Sequence, residues 1–389
     1  MCRIGFVLFC LCASSIGGRA QEAIRNYIFG HSLIHHEIQV NPTPSQETSV
    51  PHWLYFLAEA GGHTYAVDGQ YGFLLQHAQL PPQAQWGFDA VPGVWDSDTQ
   101  SFGEADFTDV LFTPANFIQW QPVTENYPGE DTSPLAATHT ILDWCAAREP
   151  DIRFHLYENW PDMAPYLNGD FPPSASEWQT YNDYLQGDFH DWFLTYHDSL
   201  RLAHPDLCVT MLPVGPIISQ LLLQPPFDAI PLSELYEDDA PHGRPTLYFL
   251  AALVTYMGFY GEPAPIDYEV PAIIHQVVRE HYATAVDMIW EEMASFTDAT
   301  GESRAFCDGV PTPTRNVTTE EAVRLVPNPT QAGFTILTSL AYTSVQIRDL
   351  TGRIVRQDTQ TAGLAAGSYV VVLLNEAGGV LAVQPLVVL

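Results

Sequence analysis

Four short apolar runs, each followed by a stretch long enough to hold a helix, constrain this chain more than any other feature. They are Ile24 to Phe29, Phe107 to Thr113, Ile152 to Tyr157 and Leu207 to Leu212. Helical signals lie between them. Pro51 to Ala60 is stopped by Gly61-Gly62, and Pro134 to Arg148 starts behind Ser133 as a predicted N-cap. From Ser176 to Ala203, the residues Trp178, Tyr181, Leu185, Phe189, Trp192, Tyr196 and Leu200 recur at spacings of three or four, which predicts a helix with that aromatic stripe in the core. Thr246 to Met257 and Ala272 to Ala294 read as late helices. Successive strands joined by crossovers of this length pair in parallel, and a parallel sheet needs cover on both faces. Folds of this kind carry their chemistry at the carboxyl ends of the strands.

At 389 residues and 46% hydrophobic content the chain can bury a full core, which excludes disorder and a small disulfide scaffold. All 14 cationic side chains are Arg, against 46 Asp and Glu, for a net charge of −32. Such a surface repels phosphate backbones and anionic lipid, so nucleic acid and membrane surfaces are excluded as partners, and neutral or cationic ones are expected. The charge is uneven: residues 21–320 hold 8 Arg and 42 acids, whereas 321–389 hold 4 of each. Between them lies the extended, linker-like Gly309-Val310-Pro311-Thr312-Pro313-Thr314. Residues 1–20, with Arg3, the apolar run Ile4 to Ala13 and small residues before Gln21, have the layout of a secretory signal peptide cleaved after Ala20. That run is too short for a permanent membrane anchor. The predicted organisation is therefore signal peptide 1–20, main domain 21–308, linker 309–322 and a small domain 323–389.

Cys2, Cys10 and Cys12 fall in the signal segment, leaving Cys145, Cys208 and Cys307. Three cannot all pair internally, so one disulfide with a free partner and three buried thiols both stay open; no C-x-x-C spacing supports zinc.

The first predicted strand runs into Gly30-His31-Ser32-Leu33, where a serine on a turn past the strand's carboxyl end would be presented as a nucleophile. Far downstream, Asp238-Asp239-Ala240-Pro241-His242 precedes the helical run from Leu247 to Tyr260 and Gly261. An Asp three residues before a His can deliver a general base and its orienting carboxylate from one short loop. Together these segments resemble the first and last conserved blocks of the SGNH/GDSL hydrolase superfamily, over about residues 24–300. Gly30-His31-Ser32-Leu33 stands where that family's Gly-Asp-Ser-Leu usually does, and Asp239 to His242 matches its Asp-x-x-His.

The resemblance implies a flavodoxin-like three-layer α/β/α sandwich and acyl-ester hydrolysis. Ser32 would be the nucleophile, His242 the general base and Asp239 its orienter, with Asp238 as the fallback. For the oxyanion hole it implies a Gly and an Asn. Gly72 is the candidate Gly, with Gly69 as runner-up. The family's Gly-x-Asn-Asp block is absent, and Asn116, after the second predicted strand, holds its topological position, with Asn159 in Leu156-Tyr157-Glu158-Asn159-Trp160 as the alternative. No cofactor is implied. His31, His35, His36 and Glu37 form a competing constellation, since His31 and His35 would share a helix face at metal-ligand spacing. The His-Glu-x-x-His pattern is missing, and the extra histidines are expected at the pocket mouth.

Residues 323–389 alternate short strands with Gly-containing turns, predicting a small β-sandwich. Pro327-Asn328-Pro329, Asp349-Leu350-Thr351-Gly352-Arg353 and Ala366-Gly367-Ser368-Tyr369 make this module similar to the type A C-terminal sorting domain of the type IX secretion system of Bacteroidota-like bacteria. Gln384 stands where many members have Lys. The resemblance implies a secreted or cell-surface protein that passes through the periplasm and engages the type IX machinery; a carbohydrate-binding β-module is the competing reading. The expected substrate is an external ester, a small molecule or a glycan bearing acyl groups such as acetate. A secreted, non-catalytic carbohydrate-binding or adhesin-like protein on the same scaffold is the alternative.

Overall fold

The computed structural model describes residues 22–36, 45–88, 90–114 and 119–307, and in the tail 324–326, 328, 330–331, 333–338, 342–348, 353–374 and 380–388. The signal segment, Glu37, Asn116 and the linker fall outside them. The chain divides into two compact units after Pro313.

In the first unit, five strands run β1 (Ala23–Gly30), β2 (Thr64–Tyr71), β3 (Asp109–Phe112), β4 (Arg153–Tyr157) and β5 (Val209–Leu212). They pair in the order β2-β1-β3-β4-β5, all parallel. The helices are α1 (Val50–Gly61), α2 (Leu74–His77), α3 (Pro134–Ala146), α4 (Ala175–Tyr184), α5 (His190–Ala203), α6 (Val214–Leu222), α7 (Leu232–Leu235), α8 (Pro245–Tyr260), α9 (Gln276–Glu280) and α10 (Tyr282–Ser295). One core layer joins α1, α6, α8 and α10 to one sheet face, and another joins α3 and α5 to the opposite face. This is the α/β sandwich with a parallel sheet that the sequence predicts, and the order of strands places the switch point between β1 and β3.

Local chemistry sets the boundaries. Ser49 caps α1 by accepting the His52 N–H, and Gly62 ends it with φ of 79°, a conformation that costs a residue with a Cβ. Ser133 accepts the Ala136 N–H at the start of α3. Helix α8 is buried along all 16 residues, so its sequence is apolar all round and not amphipathic.

One expectation needs correction, and one strand lies outside the pattern of apolar runs. The aromatic stripe does not lie on one helix: a π-turn at Leu185–Phe189 separates α4 from α5, and Gly187 there leaves helical geometry at φ −103° and ψ −112°. Strand β2 went unread because it carries Asp68 and Gln70. Both are buried but satisfied, Asp68 by the N–H groups of Val94 and Trp95, and Gln70 by the N–H of Gln83.

A disulfide joins Cys208 to Cys307, and Cys145 is a buried thiol. Among the described residues no helix is long and apolar enough to cross a membrane.

The second unit has an antiparallel sheet ordered β11 (Val380–Val388), β10 (Gly367–Leu374), β8 (Ser344–Arg348) and β9 (Ile354–Arg356). A two-stranded pair, β6 (Arg324–Val326) with β7 (Thr335–Leu337), contributes Leu325 to the core that Ile347, Val371, Leu373 and Leu386 form.

Candidate active site

Strand β1 ends at Gly30, where a Cβ would sit 2.8 Å from the Trp86 ring and 3.1 Å from Ile34, so a side chain there would have to displace its neighbours. The turn that follows is closed by the Ile34 N–H on the His31 carbonyl and leaves Ser32 half-buried at the carboxyl edge of the sheet. Tyr248, on buried α8, donates its hydroxyl hydrogen to the Ser32 carbonyl and fixes the turn from below.

His242 stands on the loop before α8. The loop is drawn shut by the Glu237 N–H on the His242 carbonyl and the Arg244 N–H on the Leu235 carbonyl, both at 2.7 Å. His242 Nε2 lies 3.0 Å from Ser32 Oγ, and its Nδ1 lies 2.8 Å from Asp238 Oδ2. Asp238, not Asp239, thus meets the imidazole, which corrects the expectation from Asp-x-x-His spacing. The reason is the turn: Asp238 Oδ1 accepts the N–H groups of Ala240 and His242, folding its carboxylate back over the loop. Burial pushes the Asp238 carboxyl up, but the hydrogen bonds from His242 outweigh this and hold it below its ordinary value. Asp239 is exposed, and its carbonyl accepts the N–H groups of Met163 and Ala164. That contact, with the Trp160 indole N–H on the Pro241 carbonyl, stitches the segment after β4 to the His242 loop.

The oxyanion candidates separate. Gly72 is corrected, because its N–H continues the sheet and binds the Gly30 carbonyl at 2.9 Å. Gly69 lies within the β1/β2 ladder, paired with Ile28, rather than at the sheet edge. Asn159 does line the cleft with Ser32. The Ser32 N–H has no acceptor among the described residues.

Sequence reasoning missed the group that orients Asn159. His31 Nδ1 accepts the Leu33 N–H, so its Nε2 carries the hydrogen that is donated to Thr113 Oγ1 at 3.0 Å. Thr113 in turn donates to Asn159 Oδ1 at 3.1 Å, while Asn159 Nδ2 donates to the Trp160 carbonyl. Burial, with His77 and His242 nearby, lowers the His31 pKa to about 3 and keeps this chain one-directional. Nothing in the sequence marks Thr113, since the relay spans three strand ends. His35 faces elsewhere, edge-on to Phe88, and His36 stacks on His242. The three histidines therefore point into three different surroundings.

The cleft above Ser32 has a volume of about 510 Å³. Its walls are largely aromatic, from Tyr71, Phe73, Trp120, Trp160, Tyr166, Tyr184 and Phe189, with Gln119, Asn159 and Asp162 as polar points. Trp120 is 72% exposed and Tyr71 53%, which places both at the rim of the cleft. Among the described residues that line the cleft there is no Arg.

No family model and no curated protein matches the chain. Solved structures do. A GDSL-like lipase from Parabacteroides merdae is 12% identical, with 61% of this chain and 96% of that chain covered and a TM-score of 0.35. A family two carbohydrate esterase from Clostridium thermocellum is 12% identical over 61% of this chain and 63% of that one, with a TM-score of 0.31. A carbohydrate esterase family 2 enzyme with a carbohydrate binding domain, from Corynascus thermopiles (Myceliophthora fergusii), is 14% identical over 61% and 65%, with a TM-score of 0.32. The chain spans just under two thirds of each of these two esterases. Likeness this remote leaves the chemistry of the site to its own geometry.

Proposed function

We propose that the chain is a secreted serine esterase that hydrolyses uncharged acyl esters, acetate on carbohydrate among them. The observation that supports this most is the continuous chain from Ser32 through His242 to Asp238, opening into a cleft that admits a ligand. In this reading Ser32 Oγ attacks the ester carbonyl carbon while its proton passes to His242 Nε2. The tetrahedral oxyanion is held by the Ser32 N–H and Asn159 Nδ2. The carbon–oxygen bond to the alcohol then breaks, and the alcohol leaves with the proton from His242. A water molecule, deprotonated by His242, attacks the acyl-serine, releases the acid and restores Ser32. Asp238 holds the imidazole tautomer and balances the imidazolium.

The aromatic walls suit the apolar faces of sugar rings or a planar ester, and the acidic net charge, with no Arg among the described lining residues, disfavours anionic substrates. Export by the N-terminal segment and the type IX machinery, with residues 323–389 as the sorting tail, belongs to the same proposal. Cell fractionation of the full chain against a chain ending at residue 322 tests it: retention of both in the same compartment removes the sorting role.

The activity is tested by p-nitrophenyl acetate hydrolysis with the full chain and its Ser32→Ala variant side by side. Turnover that disappears in the variant supports the reading. A folded but inert wild type replaces it with a binding protein, and an equally active variant removes Ser32 as the nucleophile.

A further inference from the structure

Beside His242 stand a second imidazole, His36 from the segment after β1, and a second carboxylate, Glu237 from the His242 loop itself, that the mechanism above does not use. His36 lies flat on His242, with ring centroids 3.8 Å apart and planes 10° from parallel, which is full contact between the two faces. Behind it, Glu237 Oε2 stands 3.5 Å from His36 Nε2, and both side chains are largely buried, at 17% and 12% exposure. The main chain of His36 is pinned from two sides: its N–H donates to the Thr48 carbonyl at 3.0 Å, and its carbonyl accepts the Thr48 hydroxyl. Thr48 is itself buried, next to the Ser49 that caps α1. The ring is therefore held by the fold and does not merely fill space near the base.

Two hydrogen bonds alone leave His242 one free motion. They hold the ring at Nε2 and Nδ1, so it can still tilt about the line joining those atoms. A flat wall in van der Waals contact with one face stops that tilt and keeps water off the face. We propose that His36, backed by Glu237, is a positioning residue that keeps the His242 imidazole in the plane shared by Ser32 and Asp238. This rests on the esterase reading of the same site and adds a residue to it. The groups facing His36 are His242, Asp238, Glu237 and its neighbour His35. Burial first, and then His242, lower the His36 pKa to about 4, so the wall is neutral when the imidazolium forms beside it. A second cation there would oppose that intermediate.

The test compares His36→Ala, His36→Leu and His36→Phe in the full chain, each by steady-state kinetics on p-nitrophenyl acetate and by thermal melting, with Ser32→Ala as reference. The expected result is a loss in kcat on the order of tenfold for Ala and Leu, with KM within about threefold, because only the alignment of the base has changed. Phe, which restores a flat ring without a titrating nitrogen, is expected to return kcat to within about threefold of wild type. A kcat for His36→Ala within twofold of wild type overturns the proposal. So does a Phe variant as impaired as Leu, or a loss that appears wholly in KM. The Phe and Leu variants keep the core filled should Ala fail to fold. If Ser32→Ala itself stays active, the esterase reading falls; if only the His36 variants are unimpaired, this inference alone falls.

Discussion

The same three functional groups are strung together at two places in the sheet. At its carboxyl edge Ser32 Oγ meets His242 Nε2 at 3.0 Å, and His242 Nδ1 meets Asp238 at 2.8 Å. Between the strands Thr210 Oγ1 meets His155 Nδ1 at 2.8 Å, and His155 Nε2 meets Asp109 at 2.7 Å. Distances do not tell the two chains apart, but their surroundings do. Thr210, His155 and Asp109 are all buried, and the His155 ring packs against Phe259. Asp109 also grips Arg153 and the Thr108 hydroxyl, so its lone pairs are taken. No substrate carbonyl can approach Thr210, and the inner chain serves to satisfy polar groups that the sheet has buried. The outer chain opens on a cleft, and that opening is what the proposed chemistry requires. A hydroxyl–imidazole–carboxylate contact is thus not sufficient for nucleophilic catalysis; the hydroxyl oxygen must also be open to a substrate.

The sharpest way to break this comparison is to remove the hydroxyl from each chain. Ser32→Ala is expected to lower kcat for p-nitrophenyl acetate by about 10³-fold or more while leaving the melting temperature nearly unchanged. Thr210→Val is expected to leave kcat intact and to lower stability by about 1–3 kcal/mol, since His155 Nδ1 loses its donor inside the protein. Rate measurements and urea unfolding on both variants check the pair; a Thr210 variant that loses activity without losing stability would collapse the distinction.

The carboxylates give the next contrast. Asp109→Asn leaves Arg153 and His155 facing a neutral amide in a buried place, and a loss of about 3–5 kcal/mol is expected, read as a lowered urea midpoint with kcat of the folded fraction unchanged. Asp238→Asn has the opposite profile. Its side chain is 42% exposed, so folding should barely notice, while kcat is expected to fall by up to about 10⁴-fold as His242 loses its orienting acceptor. Asp239→Asn, whose contribution is a main-chain carbonyl, should stay near wild type in both. A loss at Asp239 with Asp238→Asn near wild type would return the role to the residue that the sequence spacing favours.

These pairs also show what a sequence can and cannot carry. Apolar runs and caps marked β1, β3, β4, β5, α1, α3 and α8 because burial and capping are written in consecutive residues. Strand β2 escaped because Asp68 and Gln70 are satisfied by a loop that lies more than a dozen residues away. Ser32 and His242 were legible from the turn after a buried strand and the loop before an apolar helix. The choice of Asp238 over Asp239 was not, since it depends on which carboxylate the turn folds back. Asn159 was legible as an alternative at a strand end, but Thr113 and the flat contact of His36 belong to strand ends and loops brought together only by the sheet order, which no local pattern encodes.

The smallest expected effect concerns protons and separates the two regions once more. Burial lowers the pKa of His31 to about 3 and of His197 to about 4, against an ordinary 6.5. His31 lines the cleft; His197 is a buried residue of α5, donating to the Val209 carbonyl and accepting from Arg304. Between pH 6.5 and 4 the unfolded chain protonates these rings and the folded chain does not, so stability is lost as pH falls through that window and is unaffected above it. Each ring contributes up to ~1.4 kcal/mol per pH unit to that loss. Urea unfolding of wild type, His31→Asn and His197→Asn at pH 7.5, 6.0 and 5.0 isolates each ring, because every other titration is common to the three proteins. Both variants are expected to show a flatter decline than wild type, with curves that converge toward acid. Only His31→Asn is expected to lower kcat as well, because it breaks the hydrogen-bond chain through Thr113 that orients Asn159. If the two variants behave alike in kinetics, the relay under the cleft is structural, and the chemical part of the sheet edge shrinks to Ser32, His242 and Asp238.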